Sequence, residues 1–226
     1  AWPLQPSGHY LTRTLAGHQH VHGVVHGRSL ADFIFSQMMQ PPNYWETPTD
    51  YQAKVTKGFT WMEPQSFATT PNRLVDFRKA VTPKSTTKSH VFEGFEKCIY
   101  SYQKFHSDDE RRFAVLVDRD FETSIIRWVK PGPGQFQIEY MAGRDYEPDF
   151  VVETDSKKWI VEVKAANELV DEGVLAKSAA ARKWVGYATE HAKSYADKPW
   201  GYAIVPHDQI TEAVTFDGLM AVYEQA

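Results

Sequence analysis

The sequence predicts an α/β fold, an α/β sandwich built on a mixed sheet. Three observations carry that expectation. From residue 107 the pattern reads helix, strand, long strand or strand pair, strand, helix, strand. The 226 residues leave room for one large domain, or for one domain and an extension. A hydrophobic content of 42% with 14% aromatics suffices for a packed core, and no apolar run reaches the 18 residues that would suggest a membrane span.

The opening AWPLQPSGHY has neither a basic segment nor an apolar one, so no signal peptide is expected, and the missing initiator Met suggests a fragment. GHQHVHGVVHG follows, with His18, His20, His22 and His26. On a strand the first three share a face, an arrangement open to zinc; without Cys or acidic partners close by, such clusters also serve as surface or inter-element contacts. SLADFIFSQMMQ has a Ser cap and helical apolar spacing, KVTKGFTWM reads as a strand, and PNRLVDFRKAV reads as a helix with Pro71 at its first position. Residues 71–90 hold Arg73, Arg78, Lys79, Lys84 and Lys88 against the one acid Asp76, either a phosphate-tracking patch or a solvated linker. Cys98 is the one cysteine, placed on the apolar side of a helix; it excludes an internal disulfide and makes a reducing cytoplasm the simplest compartment. There is no internal repeat or low-complexity segment.

SDDERRF starts the next helix. Ser107 and Glu110 fit the S-x-x-E capping box, in which the Glu side chain turns back to a backbone N–H. ETSIIRWVK and QFQIEY are two short strands separated by the loop Pro131-Gly132-Pro133-Gly134. FVVET and WIVEVKA then form a hairpin around Asp155 and Ser156. Alternation puts Trp159, Val161, Val163 and Ala165 on one face and Ile160, Glu162 and Lys164 on the other, so an apolar strand ends in two charges. With an even-numbered loop, Thr154 pairs with Lys157 and the same register sets Asp149 opposite Glu162. Opposed carboxylates repel, and a hard divalent cation such as Mg²⁺ relieves them. That register also sets Glu147 opposite Lys164, so a plain edge salt bridge is the competing reading.

Residues 166–196 read as a long helix, or as a short loop and a helix. Val174, Ala181, Trp184, Val185, Ala188, Ala192 and Tyr195 form its apolar stripe. Lys177, Arg182 and Lys183 lie off it, as solvated charges or as phosphate contacts; Lys177, early on the helix, is the best placed to reach a substrate backbone. WGYAIVP, residues 200–206, closes the unit as a strand.

Pro148-Asp149, twelve residues, then Glu162-Val163-Lys164 resembles the PD-(D/E)xK nuclease signature. YEPDFVVET with WIVEVKA, preceded by FEGFEK and KFHSDDERRFA, resembles more specifically the C-terminal nuclease domain of the Res subunit of type III restriction enzymes and of helicase-fused restriction proteins. The similarity runs from about His90 to about Tyr195. It implies a restriction-endonuclease-like αβββαβ core over residues 89–226, with residues 1–88 an N-terminal α+β connector or accessory region. It also implies a Mg²⁺ ion, replaceable by Mn²⁺, held by Asp149, Glu162, the Val163 carbonyl and Glu110, with Lys164 orienting water and steadying phosphate charge. The implied partners are double-stranded DNA, an ATP-driven translocase and a methyltransferase subunit that reads the sequence. No G-x-x-x-x-G-K-[ST] loop occurs, so this chain is not expected to hydrolyse ATP by itself. The net charge of −4 argues that most DNA affinity lies elsewhere in a larger protein. Two alternatives share the fold: a degenerate nuclease that binds DNA or docks a partner, and a nuclease of repair, recombination or transposition.

Overall fold

The computed structural model of the chain describes residues 63–225, which lie within one compact unit, residues 55–226. The histidine cluster, the SLADFIFSQMMQ helix and the KVTKGFTWM strand fall outside the described residues. The fold is mixed α/β. Its central sheet has four strands: β3 (Ile125–Val129), β6 (Phe150–Thr154), β7 (Lys158–Lys164) and β8 (Trp200–Pro206), in the order β3-β6-β7-β8. β3, β6 and β7 run antiparallel in turn, and β8 lies parallel to β7. Among the described residues no helix is long and apolar enough to cross a membrane.

Helix α1 (Asp108–Val117) starts where the sequence places it. The Ser107 hydroxyl accepts from the Glu110 N–H at 3.1 Å, and three acids in the first turn suit the positive end of the helix dipole. Its Phe113, Leu116 and Val117 are buried against the face of the sheet formed by Phe150, Val152, Trp159, Val161, Val163 and Val205. Helix α3 (Phe216–Tyr223) covers the same face through Phe216, Leu219 and Met220. The opposite face carries Ile160, Tyr202 and Ile204 under helix α2 (Glu172–Lys193), which begins after a short 3₁₀ turn at Ala166–Glu168. A parallel neighbour cannot be reached by a tight turn, so α2 provides the crossover from β7 to β8.

The hairpin register agrees with the expectation. Asp155 and Ser156 form a two-residue loop, closed by Thr154 N–H donating to the Lys157 carbonyl at 2.8 Å and Lys157 N–H donating to Thr154 Oγ1 at 3.0 Å. Phe150 pairs with Val161 and Val152 with Trp159, so Asp149 stands next in line beside Glu162.

Four features differ from the sequence reading. PNRLVDFRKAV is no helix: a 3₁₀ turn, Pro71–Arg73, leads into β1 (Leu74–Asp76), which pairs in parallel with β2 (Val91–Glu93). Pairing and burial of Phe77 in the core outweigh helix propensity there. Cys98 lies on no helix but on a bridge to Trp128, partly buried against the core. QFQIEY supplies β4 (Ile138–Met141), which stands apart from the central sheet in a hairpin with β5 (Arg144–Tyr146) and rests on α2. Tyr195 lies beyond the end of α2 and is 61% exposed, so the apolar stripe stops at Ala192.

Candidate active site

The charged end of β7 opens into a cleft of about 440 Å³. Asp149, Glu162 and Lys164 line it together. Lys164 Nζ lies 3.0 Å from Asp149 Oδ2 and 3.2 Å from Glu162 Oε2, so Asp149, not Glu147, is its acidic partner across the hairpin. Glu147 instead accepts from the Gly134 N–H. The edge salt bridge between Glu147 and Lys164 is therefore not formed.

Asp149 also accepts from the Val163 N–H at 3.0 Å. In a strand the N–H and C=O of one residue lie on the same edge, so the Val163 carbonyl faces the β6 side too. The residue opposite it in the register would be Pro148, which has no N–H to donate. Proline there leaves that carbonyl unclaimed by the ladder, beside two carboxylates. The spacing Pro148-Asp149 thereby acquires a backbone role as well as a side-chain one.

Glu162 is 4% exposed, and its Oε1 has no hydrogen-bond partner. Burial and the Asp149 charge push its carboxyl well above the ordinary glutamate range. Burial opposes ionisation of Asp149 as well, but the Lys164 and Lys130 ammonium groups and the Val163 N–H outweigh it and hold that carboxyl low. Burial likewise disfavours a charged Lys164, yet the two acids raise its pKa, so it is a fixed positive charge.

Glu110 makes the cap that the sequence predicts. Its backbone N–H takes the Ser107 cap, and its side chain turns back to accept from the His106 N–H at 2.9 Å. The same carboxylate accepts from Lys130 Nζ at 3.1 Å, and Lys130 lies 4.0 Å from Asp149 Oδ1. Glu110 thus reaches the cluster through a lysine rather than directly. Burial of Glu110 is outweighed by hydrogen bonding from His106 and by the Lys130 charge, so it stays ionised.

Lys177, at the start of α2, lines the cleft with its Nζ 5.4 Å from the Tyr140 ring and 5.9 Å from the Tyr146 ring. Arg182 and Lys183 are exposed further along α2 and do not line it. Two residues in the cleft escaped the sequence reading. Lys130, just past the end of β3, is 7% exposed; Tyr146 ends β5 with a buried hydroxyl that has no partner. Neither carried a signal, because each meets the hairpin only through tertiary packing.

Among the described residues, the buried side chains with unpartnered polar atoms are Tyr146 and Glu162, and both line this cleft. Burying such atoms unpaired costs about 1–3 kcal/mol each, so the site is built to receive something polar. Among the described residues no three His, Cys, Asp or Glu side chains are grouped to hold a metal by themselves. Asp149, Glu162 and the Val163 carbonyl form a two-carboxylate, one-carbonyl set of hard oxygen donors, which fits Mg²⁺ with water filling its other positions. No family model matches the chain, and no curated protein is similar enough to it to count as a relative.

Proposed function

We propose that this chain is a Mg²⁺-dependent endodeoxyribonuclease with a restriction-endonuclease-like core, the nuclease part of a helicase-coupled, type III-like restriction enzyme. The observation that carries the reading is the buried Glu162, its Oε1 unpartnered, sharing Lys164 with Asp149 in a cleft. Its substrate is double-stranded DNA in the cytoplasm. A translocase and a methyltransferase subunit bring the DNA and read its sequence. The order α1, β3, β6, β7, α2, β8 along the chain supports the αβββαβ assignment, with β4 and β5 as an insertion.

Asp149, Glu162 and the Val163 carbonyl would hold the ion. Bound Mg²⁺ (or Mn²⁺) supplies charge neutralisation at the scissile phosphate and acidifies a water molecule. Asp149 is kept ionised by two lysines and the Val163 N–H, so it is ready as a ligand without giving up a proton. Lys164, a permanent cation, acts as a hydrogen-bond donor that orients the attacking water and offsets charge building on the phosphate. Lys177, in the wall of the cleft, contacts the DNA backbone.

The test is nicking of supercoiled plasmid at low salt with Mg²⁺ or Mn²⁺. Nicking requires the metal, stops with EDTA, and falls at least about 100-fold in Asp149→Ala and in Lys164→Ala. Nicking that survives in Asp149→Ala sinks the assignment.

A further inference from the structure

We propose that Lys130 is a built-in cation standing where a second divalent ion would otherwise bind, so that the site takes one metal ion. This rests on the nuclease reading above.

Lys130 is among the few buried charged residues of the unit. Its ammonium lies 3.1 Å from Glu110 Oε2 and 4.0 Å from Asp149 Oδ1, spanning two carboxylates from different elements as a bridging metal would. It is held from three sides. Its stem leaves the end of β3, its Nζ sits 5.6 Å from the centre of the Phe150 ring, and its backbone carbonyl accepts from the buried Gln103 side chain at 3.2 Å. A flexible surface lysine would not be fixed in this way.

Charge balance points in the same direction. Once Glu162 gives up its proton to serve as a ligand, Glu110, Asp149 and Glu162 carry three negative charges and Lys130 and Lys164 two positive ones, which leaves one formal negative charge. One divalent cation turns that into a single positive charge, the complement of one phosphodiester. Two divalent cations would leave three positive charges in a largely buried cluster, which is strongly unfavourable. The two oxygens of Asp149 then serve different partners, with Oδ1 toward Lys130 and Oδ2 toward Lys164 and the Val163 N–H. Glu110 is a positioning residue that fixes Lys130, rather than a ligand of the ion.

Mn²⁺ binding to the full chain, counted by the EPR signal of the free ion, tests this, with Asp149→Ala as the blank for ions bound elsewhere. The wild type and Lys130→Arg bind one ion above the blank. Lys130→Gln binds two, with the spectrum of an exchange-coupled pair, and adding Glu110→Gln to it removes the second. Two ions in the wild type, or one in Lys130→Gln, overturn the proposal while leaving the nuclease reading intact. No ion above the blank in the wild type overturns both. If circular dichroism shows Lys130→Gln unfolded, Glu110→Gln alone decides. The proposal predicts one ion still bound, with no more than the roughly 10- to 100-fold loss of an outer partner; losing the ion makes Glu110 a ligand and refutes it.

Discussion

Glu162 stands where its strand would otherwise carry an aliphatic residue, one position from Val161 and Val163 in the core. Its raised pKa has a consequence for stability that needs no substrate. The folded, metal-free protein binds this proton more tightly than the unfolded chain does, so the contribution is complete below the ordinary glutamate value and is lost as pH rises toward the raised one. Glu162→Gln therefore flattens the decline of Tm with increasing pH and stabilises the metal-free protein at pH 8 by about 1 kcal/mol. Thermal melts of both proteins across pH check it, and parallel profiles would contradict it. At this scale the sequence was partly legible. The positions of Asp149, Glu162 and Lys164 follow from alternation and a two-residue turn, both local properties. Lys130 is reached only when the end of β3 meets the start of α1, and no local pattern announces that meeting.

Elements explain why the charged end holds its shape. β6 and β7 are fixed by their turn, and β7 is flanked on its other edge by β8 along its whole length, from Lys158↔Trp200 to Lys164↔Pro206. Close approach at the start of β8 depends on Gly201, where an added Cβ would lie 2.6 Å from a ring carbon of Trp159. Gly201→Ala is expected to destabilise the protein by about 1–3 kcal/mol through that overlap, measurable by urea denaturation; an unchanged midpoint would show that the ring can move aside. At the other end of the sheet Asp118 accepts from Trp128 Nε1 at 2.7 Å and from the Glu96 and Lys97 N–H groups, tying β3 to the segment before α1. Asp118→Ala strands those donors and lowers stability by roughly 2–4 kcal/mol on the same measurement, with a loss under about 1 kcal/mol counting against the account. The hairpin, α2 and β8 were readable because their periodicity is strong and their partners are near in sequence. β1 was misread because its pairing partner lies beyond an intervening turn, and the separate β4–β5 hairpin because a short alternating strand does not declare which sheet it joins.

For the molecule as a whole, the net charge of −4 is unevenly spread. The basic stretch at 71–90 is partly neutralised within the fold, since Arg78 pairs with Asp76 and Glu96 and Lys84 pairs with Asp108. On the proposed nuclease function, duplex binding by this chain is weak and steeply salt-dependent, near the roughly 10⁻⁴ to 10⁻⁶ M of non-specific complexes at physiological salt. Lys177→Ala should lower the slope of log K against log salt by about one, weaken binding to all sequences alike and leave Mg²⁺ binding unchanged; an unaltered slope would take Lys177 out of the interface. Fold class was legible at this scale from element order alone. The cleft was not, because its walls come from loops and strands scattered from Gln65 to Lys177. The nuclease reading and the expectations for DNA depend on one claim, that the charged end of the hairpin holds a divalent cation. Calorimetric titration of Mg²⁺ into the folded chain and into Asp149→Ala tests it most directly. The account predicts saturable binding to the wild type that disappears in the variant; no binding to the wild type, or equal binding to both, would contradict it.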